Sequence, residues 1–377
     1  MKKIGIVTIN DTNYGNRLQN YAVCNLVKSL SYEPENICIY ENRKQYYLQK
    51  TINPVKKAMK TLLPTGLLSK LIELKQEKRK DRTEKNREGY FRSFTKKYIP
   101  THEVHLYHDR SIYSLVDEKK YACFLAGSDQ IWNPDFAGND FYFLTFAPPE
   151  KRIAFTASIG YRNLPKDILD KYGNYWKEMK YISVRETSAA RLVKSASGRT
   201  ADVFFDSTLL LGREDWEQIV AKPQAELPRE YIAAYFLGES HKRNVEEFAA
   251  QMGCEIVWLN DKNYPDYYVF GPSEFLYVIQ NASGVLTDSF HAVVFSVVFH
   301  KPFYAFERSY NGNTEMFDRI SEILTRMSLE NRIWNERESA DKEMWDISES
   351  VFEQADVIRK KEKERVLTIM AEVIGSI

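Results

Sequence analysis

The stretch Gly284-Val285-Leu286-Thr287-Asp288-Ser289-Phe290-His291 runs on through Ala292 to Phe299 and into His300-Lys301-Pro302-Phe303. Its first four residues read as an apolar strand, its middle as a polar turn, and the apolar run after it as a buried helix. Thr287, Asp288, Ser289 and His291 therefore gather where a strand hands over to a helix. The start of a helix carries unpaired backbone N–H groups and the positive end of its dipole, so phosphate or carboxylate is stabilised there. An anionic substrate is the expectation.

Working outward, the same alternation recurs on both sides. Tyr231 to Gly238 reads as a strand, Lys242 to Met252 as a helix, Glu255 to Leu259 as a strand, Pro272 to Asn281 as a helix and Phe303 to Phe306 as a further strand. Ahead of them, residues 209 to 230 turn polar and carry Pro223 and Pro228, which suits a linker. Ile4 to Ile9 opens the chain as a strand, and Asp11 to Asn16 forms the loop before a helix marked by Leu18, Ala22, Leu26 and Leu30. Tyr121 to Ala126, Arg152 to Thr156, Tyr181 to Val184 and Val203 to Phe205 are apolar runs that end in polar residues. Those ends are Gly127-Ser128-Asp129-Gln130-Ile131-Trp132-Asn133, Ala157-Ser158-Ile159-Gly160, Arg185-Glu186 and Asp206-Ser207-Thr208. Polar residues directly after buried strands mark the carboxyl edge of a parallel sheet, where open α/β folds hold ligands. The expected architecture is two Rossmann-like α/β domains, 1–208 and 209–345, with the ligand between them and a closing helix over 346–377.

At 377 residues the chain exceeds what one core organises, and 44% hydrophobic with 28% charged residues is a globular composition. No apolar run reaches the length of a signal-peptide core or a membrane span, and Cys24, Cys38, Cys123 and Cys254 lack the spacing of a thiolate metal site. The expectation is a cytoplasmic protein needing no metal. Net charge is +1, yet residues 41–100 hold 17 Lys/Arg against 6 Asp/Glu. This basic segment reads either as a solvated helical excursion or as a surface lying on an anionic membrane, at the inner face where lipid-linked substrates are found. No nucleic-acid reader motif accompanies the charge.

Among candidate chemical groups His291 comes first, because a histidine in a first helical turn is kept neutral by the dipole and can exchange protons with a substrate. Arg185 sits at a strand end, where a guanidinium can hold a carboxylate or phosphate, with a salt bridge to Glu186 or Asp206 as the alternative. Gly15, Asn16 and Arg17 could converge on an anion at the first helix. Asp288 reads equally as a base or a helix cap. His300 reads as a helix C-terminal residue. His102, His105 and His108 with Glu103 have a spacing compatible with a metal on a helix, and Trp132 and Tyr161 could stack on a sugar.

Taken together, Gly15 to Asn20, Gly127 to Asn133, Ala157 to Gly160, Ser183 to Glu186 and Thr287 to His291 resemble the polysaccharide pyruvyl transferases in order along most of the chain. The resemblance implies a two-domain GT-B-type fold with an interdomain cleft. It also implies transfer of the carbon skeleton of phosphoenolpyruvate onto two hydroxyls of a cell-surface glycan, or its lipid-linked precursor, as a cyclic ketal, with no cofactor beyond that donor. Many members have Arg-Leu-His where this chain has Ser289-Phe290-His291. The family histidine falls on His291 and the first-domain arginine on Arg185. Asp11 or Asp129 is then the candidate base, and Ser289, Phe290, Asn16, Arg17, Ser128, Asn133 and Ser158 line the substrate. The alternatives are a GT-B glycosyltransferase using a nucleotide sugar and a non-catalytic polysaccharide-assembly protein.

Overall fold

The computed structural model describes residues 2–40, 67–105, 117–135, 140–238, 241–308, 317–334 and 345–377. Strands β1 (Lys3–Val7), β2 (Glu33–Tyr40), β3 (Thr101–His105), β4 (Tyr121–Asp129), β5 (Arg152–Ala157), β6 (Tyr181–Val184) and β7 (Asp202–Val203) form a parallel sheet in the order β3-β2-β1-β4-β5-β6-β7. A second parallel sheet holds β8 (Tyr231–Tyr235), β9 (Glu255–Leu259), β10 (Gly284–Thr287) and β11 (Phe303–Ala305) in the order β11-β10-β8-β9. Strand order reverses between β1 and β4 in the first sheet and between β8 and β10 in the second. Helices on either side of such a reversal diverge and leave a crevice at the strands' carboxyl ends.

The principal helices are α1 (Tyr14–Ser29), α2 (Leu67–Tyr98), α3 (Lys166–Lys177), α4 (Thr187–Ser197), α5 (Lys242–Met252), α6 (Pro272–Asn281), α7 (Phe290–Val298), α8 (Asp318–Arg326) and α9 (Glu349–Gly375). Every residue of α7 is buried, as its all-round apolar sequence requires. The domains share a core: Leu18 and Ala22 of α1 belong to the same buried cluster as Phe275 of α6 and Val293 and Phe295 of α7. Tyr14, at the start of α1, stacks on Phe275 at 4.4 Å. That packing fixes the two reversal points relative to each other.

Several expectations meet a different structure. β2 and β3 flank the basic segment and extend the first sheet, although Glu33 to Tyr40 alternates too weakly to be read as a strand. His102, Glu103 and His105 lie on β3, so a helical metal spacing does not arise; His102 faces Glu35 at 3.5 Å and His105 faces Glu103 at 3.4 Å. His108 lies outside the described residues, and among the described residues no group of His, Cys, Asp and Glu could hold a metal. Nor is the basic segment simply solvated. Residues 41–66 lie outside the described residues, but Arg87, Phe91 and Phe94 of α2 are buried. The Arg87 guanidinium donates to Tyr14 Oη at 2.9 Å and to the Tyr268 carbonyl at 2.5 Å, because α2 wedges its last turns against both domains. α9 returns to the end of the first domain, with Glu362 accepting from the Phe205 amide at 3.3 Å and Arg359 donating to the Leu209 carbonyl just beyond it at 3.0 Å. Among the described residues no helix is long and apolar enough to cross a membrane.

Candidate functional site

α1 follows β1 and α7 follows β10, so the two reversal points aim two helix N-termini at each other. Asn13 caps α1 by accepting from the Gly15 amide at 2.8 Å. His291, in the first turn of α7, lays its ring directly on Gly15: a Cβ built there would meet His291 Nδ1 at 2.1 Å. Only glycine admits the imidazole at that point. The junction behind it is held by backbone. Thr287 donates its hydroxyl to the Tyr235 carbonyl, and the Ser289 amide donates to Thr287 Oγ1 at 3.0 Å. Asp288 accepts from the Leu237 and Gly238 amides at 2.7 and 2.8 Å. Burial raises the Asp288 pKa against those hydrogen bonds and Arg308. Its carboxylate ties the end of β8 to β10, and Ser289 takes the N-cap position of α7 without a side-chain capping hydrogen bond.

The first domain brings the ends of its strands to the same place. Asp206 is fully buried; it accepts from Ser128 Oγ at 2.9 Å, from Arg185 Nη1 at 2.5 Å and from the Thr208 amide at 2.9 Å. Its Oδ1, the oxygen that accepts from Thr208, stands 3.9 Å from His291 Nε2. Burial alone would raise the Asp206 pKa, but the charge of Arg185, the nearby His291 ring and the hydrogen bonds of Thr208 hold it well below the carboxylate range. Asp129 carries a left-handed backbone, φ 84°. This conformation turns its carboxylate to accept from Arg185 Nη2 at 3.4 Å and from the Asn16 side-chain Nδ2. Arg185 is thus fastened to two carboxylates, so both the anion-clamp and salt-bridge expectations bear on one side chain. Glu186 accepts from Ser158 Oγ at 3.1 Å and from the Ile159 and Gly160 amides at 2.8 and 3.2 Å.

Burial pulls the His291 pKa below its usual value, against the attraction of Asp206 and Asp129. The ring is therefore neutral at neutral pH, and its Nε2 is buried without a hydrogen-bond partner. Beside it, Phe290 lies under two guanidinium groups, Arg185 at 4.9 Å and Arg319 at 5.7 Å from the ring centroid. Arg319, from α8, was not among the candidates. Its signal was present: it stands one residue before Ile320 and four before Ile323, on the apolar stripe of α8, where an arginine is out of place.

Of the other candidates, Ser128 and Asn16 join the cluster directly and Ser158 joins it through Glu186. Arg17 bonds Asn10 at 2.7 Å, and Asn133 accepts from the Asp135 amide at 2.9 Å within its own turn. Asp11 lies on an exposed turn, accepting from the Thr12 amide at 2.6 Å. Trp132 does not reach a sugar site: it is fully buried and stacks on Phe143 at 5.5 Å. Tyr161, half-buried, bonds Asp135. His300 does follow its helix, where Glu349 at 2.5 Å and Asp356 at 2.9 Å of α9 hold the ring. The thiols of Cys24, Cys38 and Cys123 are pushed up to about 12 by burial and are inert.

A family model described as polysaccharide pyruvyl transferase matches residues 13–310, a span that contains every cluster residue named here except Arg319. No curated protein sequence matches the chain. Among solved structures, one from Listeria monocytogenes assigned as a UDP-N-acetylglucosamine 2-epimerase is 11% identical, covers 97% of this chain and 94% of its own, and superposes with a TM-score of 0.51. The S. aureus MnaA–UDP structure is 13% identical with 97% and 95% covered and a TM-score of 0.46. The Anabaena Alr3699/HepE complex with UDP and glucose is 10% identical, with both chains covered in full and a TM-score of 0.44. The architecture is the two-domain GT-B type.

Proposed function

Because this chain belongs to the polysaccharide pyruvyl transferase family, we propose that it transfers the pyruvyl skeleton of phosphoenolpyruvate onto two hydroxyls of a surface-polysaccharide sugar, free or lipid-linked, as a cyclic ketal. What supports this reading most is the meeting of His291, Arg185, Asp206 and Asp129 at the junction of the domains, where two helix N-termini face each other. The donor is a small trianion, and such a junction favours anions.

The chemistry balances without an external redox partner. A proton added to the methylene carbon of the donor makes the central carbon electrophilic. One sugar oxygen bonds to that carbon and gives up its proton; the carbon–oxygen bond to phosphate breaks, and phosphate departs with the electron pair. The second sugar oxygen then closes the ring. Of the two hydroxyl protons released, one replaces the proton placed on the new methyl group and the other leaves with phosphate. In this scheme His291 is the proton donor or the phosphate's partner, and Arg185 the anion clamp. Asp129, or Asp11 from its exposed turn, takes the proton or contacts the acceptor. The neutral imidazole of the empty site cannot itself protonate carbon. An incoming phosphate restores its proton affinity, so the donor binds with uptake of a proton.

In a cell the reaction belongs on the cytoplasmic side of a membrane, with basic residues 41–100 near anionic lipid when the acceptor is lipid-linked. Likeness to UDP-sugar proteins at these identities concerns the fold and brings no nucleotide sugar with it. The test is incubation with phosphoenolpyruvate and a panel of nucleotide-linked and lipid-linked glycans, reading phosphate release and acceptor mass together. Coupled release and mass gain are expected. Saturable UDP-sugar binding with neither signal would overturn the reading in favour of glycosyl transfer.

A further inference from the structure

Arg185 is poorly suited to hold a donor phosphate alone. Its Nη1 and Nη2 are engaged by Asp206 and Asp129, so its positive charge is matched before any ligand arrives. An anion entering the cluster needs a cation whose charge is not already spent.

Arg319 is that cation. It is 7% exposed, and among the described residues it makes no ion pair with a carboxylate. Its partner is an amide. With the Gln130 side chain turned so that its oxygen faces Arg319, that oxygen accepts from Nη2 at 2.9 Å and Nη1 at 3.2 Å, and Arg319 Nε is left buried without a partner. Gly160, at φ +75°, makes room for this amide; a Cβ there would meet it at 2.5 Å. Arg319 and Arg185 share the Phe290 ring, so two guanidinium groups stand close together in a dry place, and one of them lacks a salt bridge among the described residues. Burial, and then the repulsion of Arg185 and Arg308 against the attraction of Glu186 and Asp129, pull the Arg319 pKa down to about 10, which still leaves it charged at neutral pH. A buried, unpaired charge beside a like charge is unfavourable unless a ligand compensates it.

The position of Arg319 is set from outside the cluster. Its neighbour Asp318 pairs with Arg162, and Glu322, one turn on, accepts from the Thr187 amide at 3.1 Å and from Thr187 Oγ1 at 2.6 Å. These contacts fasten α8, an element of the second domain, to the N-terminus of α4 in the first. They border an open cavity of about 430 Å³ that Arg191 also lines.

We infer that Arg319 is the second anion clamp of the site, binding the phosphate of the donor opposite the histidine-bearing helix N-terminus. The inference deepens the proposed function and rests on it for the identity of the donor, while the clamp itself needs only a phosphate.

The experiment titrates the full-length protein with inorganic phosphate and, separately, with phosphoenolpyruvate, by calorimetry and by thermal shift. Arg319→Gln keeps most of the volume and removes the charge, and Arg319→Lys keeps a point charge without the fork. Arg319→Gln is expected to weaken both ligands by about tenfold or more, with Arg319→Lys intermediate. Its unliganded Tm should be unchanged or higher, because a repulsion has gone, whereas a merely structural arginine would lower Tm when lost. Binding of both ligands by Arg319→Gln within about twofold of wild type would overturn the clamp. Wild-type protein that holds phosphate through Arg319 yet shows no saturable phosphoenolpyruvate binding would leave the clamp standing and overturn the pyruvyl reading. Wild-type protein that binds neither would overturn both.

Discussion

The two walls of the site are built on opposite principles. On the first-domain wall the charges are matched: Arg185 pairs with Asp206 and Asp129, which also accept from Ser128, Thr208 and Asn16, although Arg185 Nε and Glu186 Oε2 remain buried without a partner. On the second-domain wall Arg319 has no salt bridge among the described residues, and both His291 Nε2 and Arg319 Nε are buried with no hydrogen bond. A charge-matched network is rigid and stabilising, whereas a buried charge without an ion-pair partner is unfavourable in the empty protein and gains most when an anion arrives. The contrast assigns scaffold to the first wall and ligand binding to the second.

The comparison can be broken by changing one wall at a time. The largest effect is expected from His291→Ala, which should lower phosphate release from phosphoenolpyruvate by about 100- to 10,000-fold while leaving the unfolding midpoint close to wild type; near-wild-type turnover would remove His291 from the chemistry. Asp206→Ala acts on the other wall. It strands Arg185 without its closest carboxylate and should destabilise the fold by about 3–5 kcal/mol in urea unfolding. A loss below about 1 kcal/mol would mean that the first wall is not a scaffold.

Gly15→Ala tests the contact between the walls. The added methyl must displace the imidazole, so a stability loss of about 1–3 kcal/mol should accompany a fall in phosphate release, and a variant active as wild type would show that His291 need not lie there. The donor's pH dependence comes next. His291 is neutral in the empty site and gains a proton beside phosphate, so affinity should rise as pH falls between the free and bound pKa values, by at most about tenfold per pH unit. The His291→Gln curve isolates this contribution, and two parallel curves would exclude proton uptake at this residue. Smallest is Glu322→Gln, which loosens the partly exposed tie of α8 to α4: KM for the donor should rise severalfold at nearly constant kcat, an effect of about 1 kcal/mol or less.

How much of this could be read without a structure differs residue by residue. The helices Lys242–Met252 and Pro272–Asn281 and the strand Glu255–Leu259 fall where apolar periodicity puts them, because their patterns are long and their ends carry glycine or proline. β2 and β3 were not legible, since β2 begins with the polar run Glu33 to Asn36 and β3 is a polar edge strand, so neither alternates enough to mark it. Ser128, Asn16, Arg185 and His291 announced themselves by following apolar strands or opening helices. Arg319 followed no strand, and Trp132 followed one without leaving the core.

Local pattern was enough for the alternation of strands and helices, for two parallel α/β units and for an anion-binding junction at Thr287 to His291, because each depends on neighbours within a few residues. Which carboxylates neutralise Arg185, which guanidinium stays unpaired and which glycine receives the imidazole were decided by tertiary structure. Those outcomes depend on groups from separate elements meeting in a dry interface, Arg185 and its carboxylates 21 and 56 residues apart and the others much farther, where a single partner gained or missed sets the charge of the site.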